Sequence, residues 1–231
     1  MPHHYAQTIL QLYAQLIEAG HDVTGYDTAV APDGIAMAQT AQAAVQDAEV
    51  VITMLPNGSI LRSVAGQIQP HMTKGAVHLD CSTVDVDSAR ATAEAANAKR
   101  ILCIDAPVSG GIGGAAAGTL TFMAGGSEAA FQRAAPLFDI MGQKAVHCGD
   151  AGAGQAAKIC NNMILGVTMI ATCEAFVLAD KLGLARDKMF DVVSTSSGYS
   201  WVMNAYCPAP GVGPKSPADN DYQPGFAADL M

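Results

Sequence analysis

The sequence predicts a doubly wound α/β domain followed by a helical region. From about residue 22 to residue 148, short runs rich in Val, Ile and Leu alternate with helix-forming segments, and short turns join them. Alternation of this kind produces βαβ units, whose strands form a mostly parallel sheet with helices on both faces. After about Gly152 the strand signals stop and the chain favours helix. We therefore expect a sheet domain over residues 1–152 and a helical domain over residues 153–231.

Each predicted element has a local reason. The first helix carries apolar residues at helical spacing and is closed by Gly20. The second is rich in Ala and Gln, which favour helix. The strands are short apolar runs bounded by turn residues. The predicted helices are 9–19, 35–47, 60–69, 86–98 and 128–141, and the predicted strands are 22–26, 49–55, 76–80, 100–105, 120–124 and 145–148.

The helical domain begins with a helix from about Gln155 to Leu182. From Tyr206 to Gly225 the chain is rich in Pro and Gly, which exclude a long helix. The aromatic residues of this segment favour an ordered loop, and a flexible linker remains an alternative.

Charge and composition exclude several classes of protein. The chain has 231 residues, a formal net charge of −9 and only 14% charged residues. A negative chain without clustered Lys and Arg is a poor partner for nucleic acid or for an anionic membrane surface. The most apolar stretch, Met163 to Cys173, is too short to span a bilayer, and no secretory signal or transit peptide is recognisable. We expect neither a nucleic-acid nor a membrane partner.

Cysteine and histidine spacing predicts reduced thiols and no metal site. The six cysteines are far apart and form no C-x-x-C pair, which is typical of a reducing compartment. The six histidines lack the spacing of zinc ligands, both with each other and with the cysteines. We therefore expect a cytoplasmic protein.

Lys158 is a charge within an otherwise apolar helical segment. The nearest acidic residue after it in the sequence is Glu174. Asn162 lies four residues after Lys158, so the two share one face of a helix. The lysine either extends its ammonium to solvent, or it is desolvated, with a lowered pKa that suits proton exchange with a substrate oxygen. Its own segment leaves both interpretations open.

Polar and turn residues follow four of the predicted strands. The carboxyl ends of parallel strands meet at one edge of a doubly wound sheet, where ligands bind. One such ending is weakly specific, because turns favour these residue types, but four in succession indicate a binding edge. The four endings are Asp27, Leu55-Pro56, Cys81-Ser82-Thr83 and Pro107-Val108-Ser109-Gly110-Gly111.

Two long motifs resemble the β-hydroxyacid dehydrogenase family, and most closely its 3-hydroxyisobutyrate dehydrogenase branch. The segment 105–111, Asp-Ala-Pro-Val-Ser-Gly-Gly, looks like the substrate-binding signature of that family and continues over 118–126. The segment 154–162, Gly-Gln-Ala-Ala-Lys-Ile-Cys-Asn-Asn, looks like its catalytic helix. Residues 204–226, with Pro-Gly-Val at 210–212, are similar to the 3-hydroxyisobutyrate branch.

Two relatives within the family are less similar. In 6-phosphogluconate dehydrogenase a His-Asn pair follows the catalytic lysine, whereas Cys160-Asn161-Asn162 follows Lys158 here. No basic cluster is present to hold a sugar phosphate, so a small unphosphorylated substrate is preferred. Tartronate semialdehyde reductase is closer and stays an alternative.

The resemblance implies NAD-dependent oxidation of 3-hydroxyisobutyrate to methylmalonate semialdehyde, a step of valine catabolism. Lys158 is then the catalytic residue that accepts the hydroxyl proton, and Asn162 orients the lysine or the substrate. Ser109, with the backbone N–H groups of Gly110 and Gly111, holds the substrate carboxylate. The expected partner is a small 3-hydroxy acid, and full-length relatives are homo-oligomers.

The resemblance also implies NAD as the cofactor. Asp27 is expected to accept hydrogen bonds from the adenosine ribose hydroxyls and to repel a 2′-phosphate. Thr28 stands where NADP-dependent relatives tend to carry arginine. Leu55, Pro56 and Thr83 correspond to positions that line the cofactor in the family.

The two ends of the chain depart from the family pattern. Relatives open with a strand and a G-x-G-x-x-G turn, but the first glycine here is Gly20, beyond the first predicted helix. At the other end the chain stops before the place where relatives carry a second functional lysine and further helices. We therefore expect an incomplete Rossmann-like sheet that lacks its first strand and an incomplete helical domain. A truncated fragment without catalytic activity is the alternative to a dehydrogenase.

Overall fold

The structure is a computed structural model that describes residues 3–223, with no account of the side chains of residues 3–7. The chain forms two compact units, and the division between them falls after Lys158. We call residues 1–158 the N-terminal unit and residues 159–231 the C-terminal unit. The sequence-based boundary after residue 152 stays a prediction.

The N-terminal unit contains eight strands among its described residues, arranged in two sheets. The first two strands pair in parallel as a small separate sheet. The other six form one sheet with the order β3-β4-β5-β7-β6, in which β8 also pairs with β7. The strands are β1 (Thr24–Gly25), β2 (Ala36–Met37), β3 (Val50–Thr53), β4 (Val77–Asp80), β5 (Leu102–Asp105), β6 (Val108–Ser109), β7 (Leu120–Gly126) and β8 (Gly142–Gly149).

Helices connect these strands and continue into the C-terminal unit. Several begin at a residue whose side chain accepts a backbone N–H of the first turn: Asn57, Asp85 and Ser127. The helices are α1 (His3–Glu18), α2 (Ala41–Ala44), α3 (Gly58–Ile68), α4 (Val86–Asn97), α5 (Gly111–Ala116), α6 (Glu128–Met141), α7 (Ala153–Lys181), α8 (Arg186–Val193) and α9 (Trp201–Ala205).

Strands β3, β4 and β5 run parallel and place their carboxyl ends side by side. Thr53 lies opposite Asp80, and Asp80 lies opposite Asp105, so three polar residues end three neighbouring strands. Strand β7 is antiparallel to β5 and parallel to β8. β3 forms an edge of this sheet, and β1 and β2 stay apart from it. The predicted incomplete doubly wound sheet is therefore confirmed.

The six-stranded sheet has a separate apolar core on each face. Because side chains alternate along a strand, neighbouring residues such as Cys103 and Ile104 contribute to different cores. One core contains Leu12, Leu16, Leu79, Ile104, Phe122 and Phe138. The other contains Val51, Ile68, Ala93, Ala96 and Cys103. Burial on both faces explains why the strands read as continuous apolar runs.

One predicted helix, over 35–47, is largely wrong. Its first part forms β2, which pairs with β1, and only Ala41–Ala44 is helical. Thr40 has an extended backbone and caps the short helix by accepting the N–H of Ala43 at 3.1 Å. Pairing with another strand outweighs the helix propensity of the Ala- and Gln-rich sequence, since propensity is a weak determinant.

The C-terminal unit is helical, and its proline-rich segment is folded. Phe176, Met189, Met203 and Cys207 are buried in its core. The hydroxyl of Tyr222 donates to the carbonyl of Pro208 at 2.9 Å. A 3₁₀ helix over Pro217–Asn220 interrupts the predicted loop. Pro224, Gly225 and Phe226, which belong to the segment similar to the 3-hydroxyisobutyrate branch, lie outside the described residues.

Helix α7 is long and apolar enough, by length and composition alone, to cross a membrane. The sequence predicts no membrane-spanning segment, because the stretch from Met163 to Cys173 is short and its extension meets Glu174 and Asp180. Several large apolar side chains of α7 are exposed: Ile159, Met163, Ile164, Val167, Ile170, Val177 and Leu178. A single helix of this kind is weak evidence for a membrane, because long helices of water-soluble proteins meet the same criteria.

Candidate active site

The turns after β3 and β4 are joined through a buried aspartate. The Asp80 carboxylate accepts the hydroxyls of Thr53 at 2.7 Å and Ser82 at 2.6 Å, both at Oδ1. The Ser82 hydroxyl in turn accepts the backbone N–H of Leu55 at 2.8 Å. Burial raises the pKa of Asp80 to about 6. Predicted cofactor residues Leu55 and Thr83 therefore stand on turns that one hydrogen-bond network holds together.

A buried histidine extends this network beneath the strand ends. His78 is fully buried, and its Nε2 lies 3.1 Å from the Thr53 hydroxyl. Its Nδ1 lies 3.3 Å from the amide nitrogen of Gln69, which also donates to the carbonyl of Thr92. Burial lowers the pKa of His78 to about 4, so the ring is neutral at physiological pH.

Gln155, in the first turn of α7, holds the turn that carries Thr83. Its side-chain oxygen accepts the N–H of Val84 at 3.0 Å, and its side-chain nitrogen donates to the carbonyl of Ser82 at 2.8 Å. These two bonds bracket Thr83 on both sides. Gln155 is fully buried, so water does not compete for either bond.

Asp105 fixes the start of α7 against the end of β5. Its carboxylate accepts the backbone N–H of Gly152 at 2.7 Å and that of Gln155 at 3.0 Å. These donors lie at the start of the helix, just before it and in its first turn, where backbone N–H groups lack helical partners. Burial nevertheless raises the pKa of Asp105 to about 6, against the effect of these two hydrogen bonds.

Backbone approaches backbone at the start of α7. A Cβ atom on Gly125 of β7 would lie 2.6 Å from the nitrogen of Gly154 and 2.7 Å from Oδ1 of Asp105. A Cβ atom on Gly154 would overlap the carbonyl oxygen of Met123. Only glycine fits at both positions, and this contact sets the distance between helix and sheet.

Lys158 is buried, with only 6% of its surface exposed. Its ammonium does not extend to solvent but donates to the backbone carbonyl of Val108 at 2.7 Å. Desolvation lowers the pKa of this lysine to about 8, because burial disfavours the charged form. Lys158 is thus next to the predicted substrate-binding segment, and its pKa suits proton exchange near neutral pH.

The remaining predicted substrate residues lie on two elements. Ser109 ends β6 and is half-buried, while Gly110 and Gly111 are exposed, with positive φ angles of 134° and 62°. Asn162 is buried one turn beyond Lys158 on α7, and its side-chain oxygen accepts the amide of Asn161 at 3.1 Å. The structure joins Lys158 to Val108, the residue immediately before Ser109.

Asp27 lies at a different part of the N-terminal unit, after β1. It is exposed, and its Oδ1 accepts the N–H groups of Ala29 at 2.7 Å and Val30 at 3.0 Å. A shallow, mostly apolar groove lined by Tyr13 and Met37 lies beside it. An exposed strand-end carboxylate next to an apolar groove fits an adenosine, whose ribose offers hydroxyl donors.

Sequence reasoning missed four residues that shape this edge. Asp105 and Gln155 lie within the quoted motifs but received no role, and His78 and Asp80 were assigned only to a strand. A signal existed for the last two, since His and Asp are unusual within a strand that is buried on both faces.

All six cysteines are free thiols, as predicted. Among residues 3–223, no three potential ligands are grouped to hold a metal ion.

Two family models match consecutive parts of the chain. Residues 10–149 match the NAD-binding domain of 6-phosphogluconate dehydrogenase. Residues 152–231 match the NAD-binding domain of NADP-dependent 3-hydroxyisobutyrate dehydrogenase. The cofactor class is therefore a nicotinamide dinucleotide, as predicted.

Relatives in other organisms are similar over nearly the whole chain. A probable 3-hydroxyisobutyrate dehydrogenase of Mycobacterium bovis is 47% identical over 94% of this chain and 76% of its own length. An NAD-dependent L-serine dehydrogenase of Pseudomonas aeruginosa is 42% identical over the same shares. The chain thus spans about three quarters of the length of these relatives.

A solved structure agrees in fold. The 3-hydroxyisobutyrate dehydrogenase of Mycobacterium tuberculosis with L-serine superposes with a TM-score of 0.89 and 46% identity, covering 95% of this chain and 78% of that one. Neither the relatives nor this structure indicates a nucleic-acid or membrane partner. The chain belongs to the 3-hydroxyisobutyrate dehydrogenase family of NAD-binding oxidoreductases.

Proposed function

We propose that the chain oxidises 3-hydroxyisobutyrate to methylmalonate semialdehyde with NAD as the hydride acceptor. The observation that carries this proposal is Lys158, a buried lysine held beside the substrate-binding segment through the carbonyl of Val108. A role in valine catabolism, and a location in the cytoplasm, belong to the same proposal.

Lys158 acts on the hydroxyl of the substrate. In its neutral form the amine accepts the hydroxyl proton as the carbonyl forms, and in the reverse reaction the ammonium returns that proton. The carbonyl of Val108, 2.7 Å from Nζ, stabilises the ammonium that results. The nicotinamide, when bound, accepts the hydride that leaves the same carbon. Asn162, one turn along α7, orients the lysine or the substrate.

The substrate carboxylate is held by Ser109 together with the backbone N–H groups of Gly110 and Gly111. The positive φ angles of both glycines support this assignment, because such a conformation turns successive N–H groups towards an anion. A small carboxylate-binding site of this kind suits a short carboxylic acid.

NAD is preferred over NADP because of the carboxylate of Asp27. Asp27 places a carboxylate where the adenosine ribose is expected, and a 2′-phosphate there would be repelled. Leu55, Pro56 and Thr83 stand on the turns after β3 and β4 and line the cofactor.

L-serine is a second candidate substrate, since it is also a 3-hydroxy acid. The similarity to an NAD-dependent L-serine dehydrogenase, and to a structure that contains L-serine, favours it specifically. Tartronate semialdehyde is a third and weaker candidate.

The experiment is a spectrophotometric assay of NADH formation with the purified chain. The expected result is turnover of 3-hydroxyisobutyrate with NAD and at least tenfold lower kcat/KM with NADP, with L-serine and 3-hydroxypropionate as comparison substrates. Calorimetry with NAD is run in parallel. NAD binding without turnover of any of these acids would overturn the proposed reaction and favour a catalytically inactive fragment.

A further inference from the structure

We propose that Gln155 is a positioning residue that holds the cofactor-facing turn at Thr83 in a fixed relation to the proton-transfer residue Lys158. This inference rests on the proposed function, because it assumes the roles of Thr83 and Lys158. Gln155 itself contacts neither substrate nor hydride and acts through the backbone on both sides of Thr83.

The side-chain amide of Gln155 bonds to the backbone on both sides of Thr83. One end accepts the N–H of Val84 at 3.0 Å and the other donates to the carbonyl of Ser82 at 2.8 Å. The side chain thus satisfies both backbone groups that flank Thr83, as a neighbouring strand would. A carboxylate lacks the donor, and an apolar side chain lacks both groups, so neither makes the pair of bonds that the amide makes.

Gln155 and Lys158 lie on the same helix, α7. Lys158 follows by three residues, about one helical turn, on the same rigid element. The backbone of Gln155 is fixed independently, because its N–H donates to Asp105 at 3.0 Å. Any movement of the Thr83 turn relative to Lys158 must therefore break a bond to Gln155.

The backbone contact at Gly154 limits movement of α7. Because Gly125 and Gly154 allow helix and sheet to approach closely, the helix has no room to shift towards β7. Asp105 holds the helix on the side of the substrate segment, and Gln155 holds it on the side of the cofactor turn. The arrangement predicts that cofactor affinity and turnover depend together on Gln155.

The decisive variant is Gln155→Glu, because protonation converts it into a mimic of glutamine. At low pH the neutral acid both accepts from Val84 and donates to the carbonyl of Ser82. At high pH the carboxylate has no donor and faces the Ser82 carbonyl. Asp105 and Asp80 also titrate near this site, so the wild-type chain is measured over the same pH range and its profile is subtracted.

Calorimetry with NAD at pH 5.5 and pH 8 is the first measurement. We expect Gln155→Glu to bind NAD within about threefold of the wild type at pH 5.5 and at least tenfold more weakly at pH 8, because the carboxylate loses the hydrogen bond to the Ser82 carbonyl. Gln155→Leu should bind NAD at least tenfold more weakly than the wild type at both pH values. Gln132→Glu is the matched control, because Gln132 is exposed and, among the described contacts, bonds only to Glu128 on its own helix. This variant should bind NAD with the affinity of the wild type at both pH values.

Hydrogen exchange at the Val84 amide, without cofactor, is the second measurement. Gln155→Leu should speed exchange at Val84 at least tenfold and leave the N–H groups within β4 unchanged. The inference would be overturned if Val84 exchanged at the same rate in Gln155→Leu and the wild type. It would also be overturned if Gln155→Glu bound NAD with wild-type affinity at both pH values. A wild-type chain that binds no NAD overturns it as well. Intact NAD binding without turnover of any 3-hydroxy acid refutes the proposed reaction instead.

Discussion

The ammonium of Lys158 donates to the backbone carbonyl of Val108 at 2.7 Å. A neutral carbonyl satisfies one donor of the ammonium but offsets little of the cost of burying its charge. Desolvation therefore lowers the pKa of the lysine to about 8. The contact with Val108 also places the amine next to the residue before Ser109, so burial sets the basicity of the proposed proton acceptor and this bond sets its position.

Replacement of Lys158 by alanine should abolish turnover and spare NAD binding. Removal of a general base typically costs two to four orders of magnitude in kcat. Steady-state assays and calorimetry on the same preparation measure the two effects. Lys74→Ala is the control, because Lys74 is exposed. Turnover of Lys158→Ala at the wild-type rate would refute the assigned role.

The pH dependence of kcat/KM should report the titration of Lys158. Oxidation requires the neutral amine, and with a pKa of about 8 only about a tenth of the lysine is neutral at pH 7. We expect kcat/KM for oxidation to rise about tenfold per pH unit below pH 7 and to level off above about pH 9. The reverse reaction requires the ammonium and should decline above about pH 8. A flat profile for oxidation between pH 6 and pH 9 contradicts this assignment.

The buried carboxyl of Asp80 should make the chain less stable as the pH rises. Its pKa in the folded state, about 6, lies above the ordinary value of 3.8. The contribution of the protonated Asp80 carboxyl to stability is therefore complete below about pH 4, and it is lost as the pH rises through 6. Asp80→Asn changes the free energy of unfolding, and this change should be more stabilising at pH 8 than at pH 4. The expected difference is on the order of 1–3 kcal/mol. Urea denaturation at both pH values measures this difference, and an equal effect at the two values would show that Asp80 does not titrate as described.

A methyl group at Gly154 should disturb the start of α7. The added Cβ would overlap the carbonyl of Met123, so we expect Gly154→Ala to lower the free energy of unfolding by about 1–3 kcal/mol and to weaken NAD binding. Gly66→Ala in α3 is the matched control, because no atom lies within 4 Å of its added Cβ. That variant should be stabilised by about 0.5–1 kcal/mol. Thermal denaturation compares the two, and similar Tm values would show that helix and sheet can separate without cost.

The choice of cofactor should depend on Asp27. Combined Asp27→Ala and Thr28→Arg substitutions remove the carboxylate and supply a cation for a 2′-phosphate. We expect kcat/KM to change in favour of NADP by at least tenfold relative to the wild type. Assays with both cofactors measure the ratio, and a ratio equal to that of the wild type would show that the ribose binds elsewhere.

The sequence by itself determined the elements whose reasons are local. Helix α6 begins and ends at the predicted residues, Glu128 and Met141, because Ser127 caps it and its apolar spacing is regular. The parallel pairing of the central strands was also predictable, because short apolar runs alternate with helical segments in the sequence. Lys158 was identified as unusual from sequence, since a charge in an apolar helix is visible without coordinates.

Only the tertiary structure decided between the two interpretations of Lys158 and connected the separate motifs. Burial depends on what packs against a side chain, and the carbonyl of Val108 lies fifty residues away in sequence. The same is true of Gln155, whose partners belong to the turn after β4, and of the short β2, which forms because β1 offers it a partner. Local sequence specifies which conformations a segment favours, whereas contacts between distant segments determine the surroundings of each side chain and hence its pKa and its role.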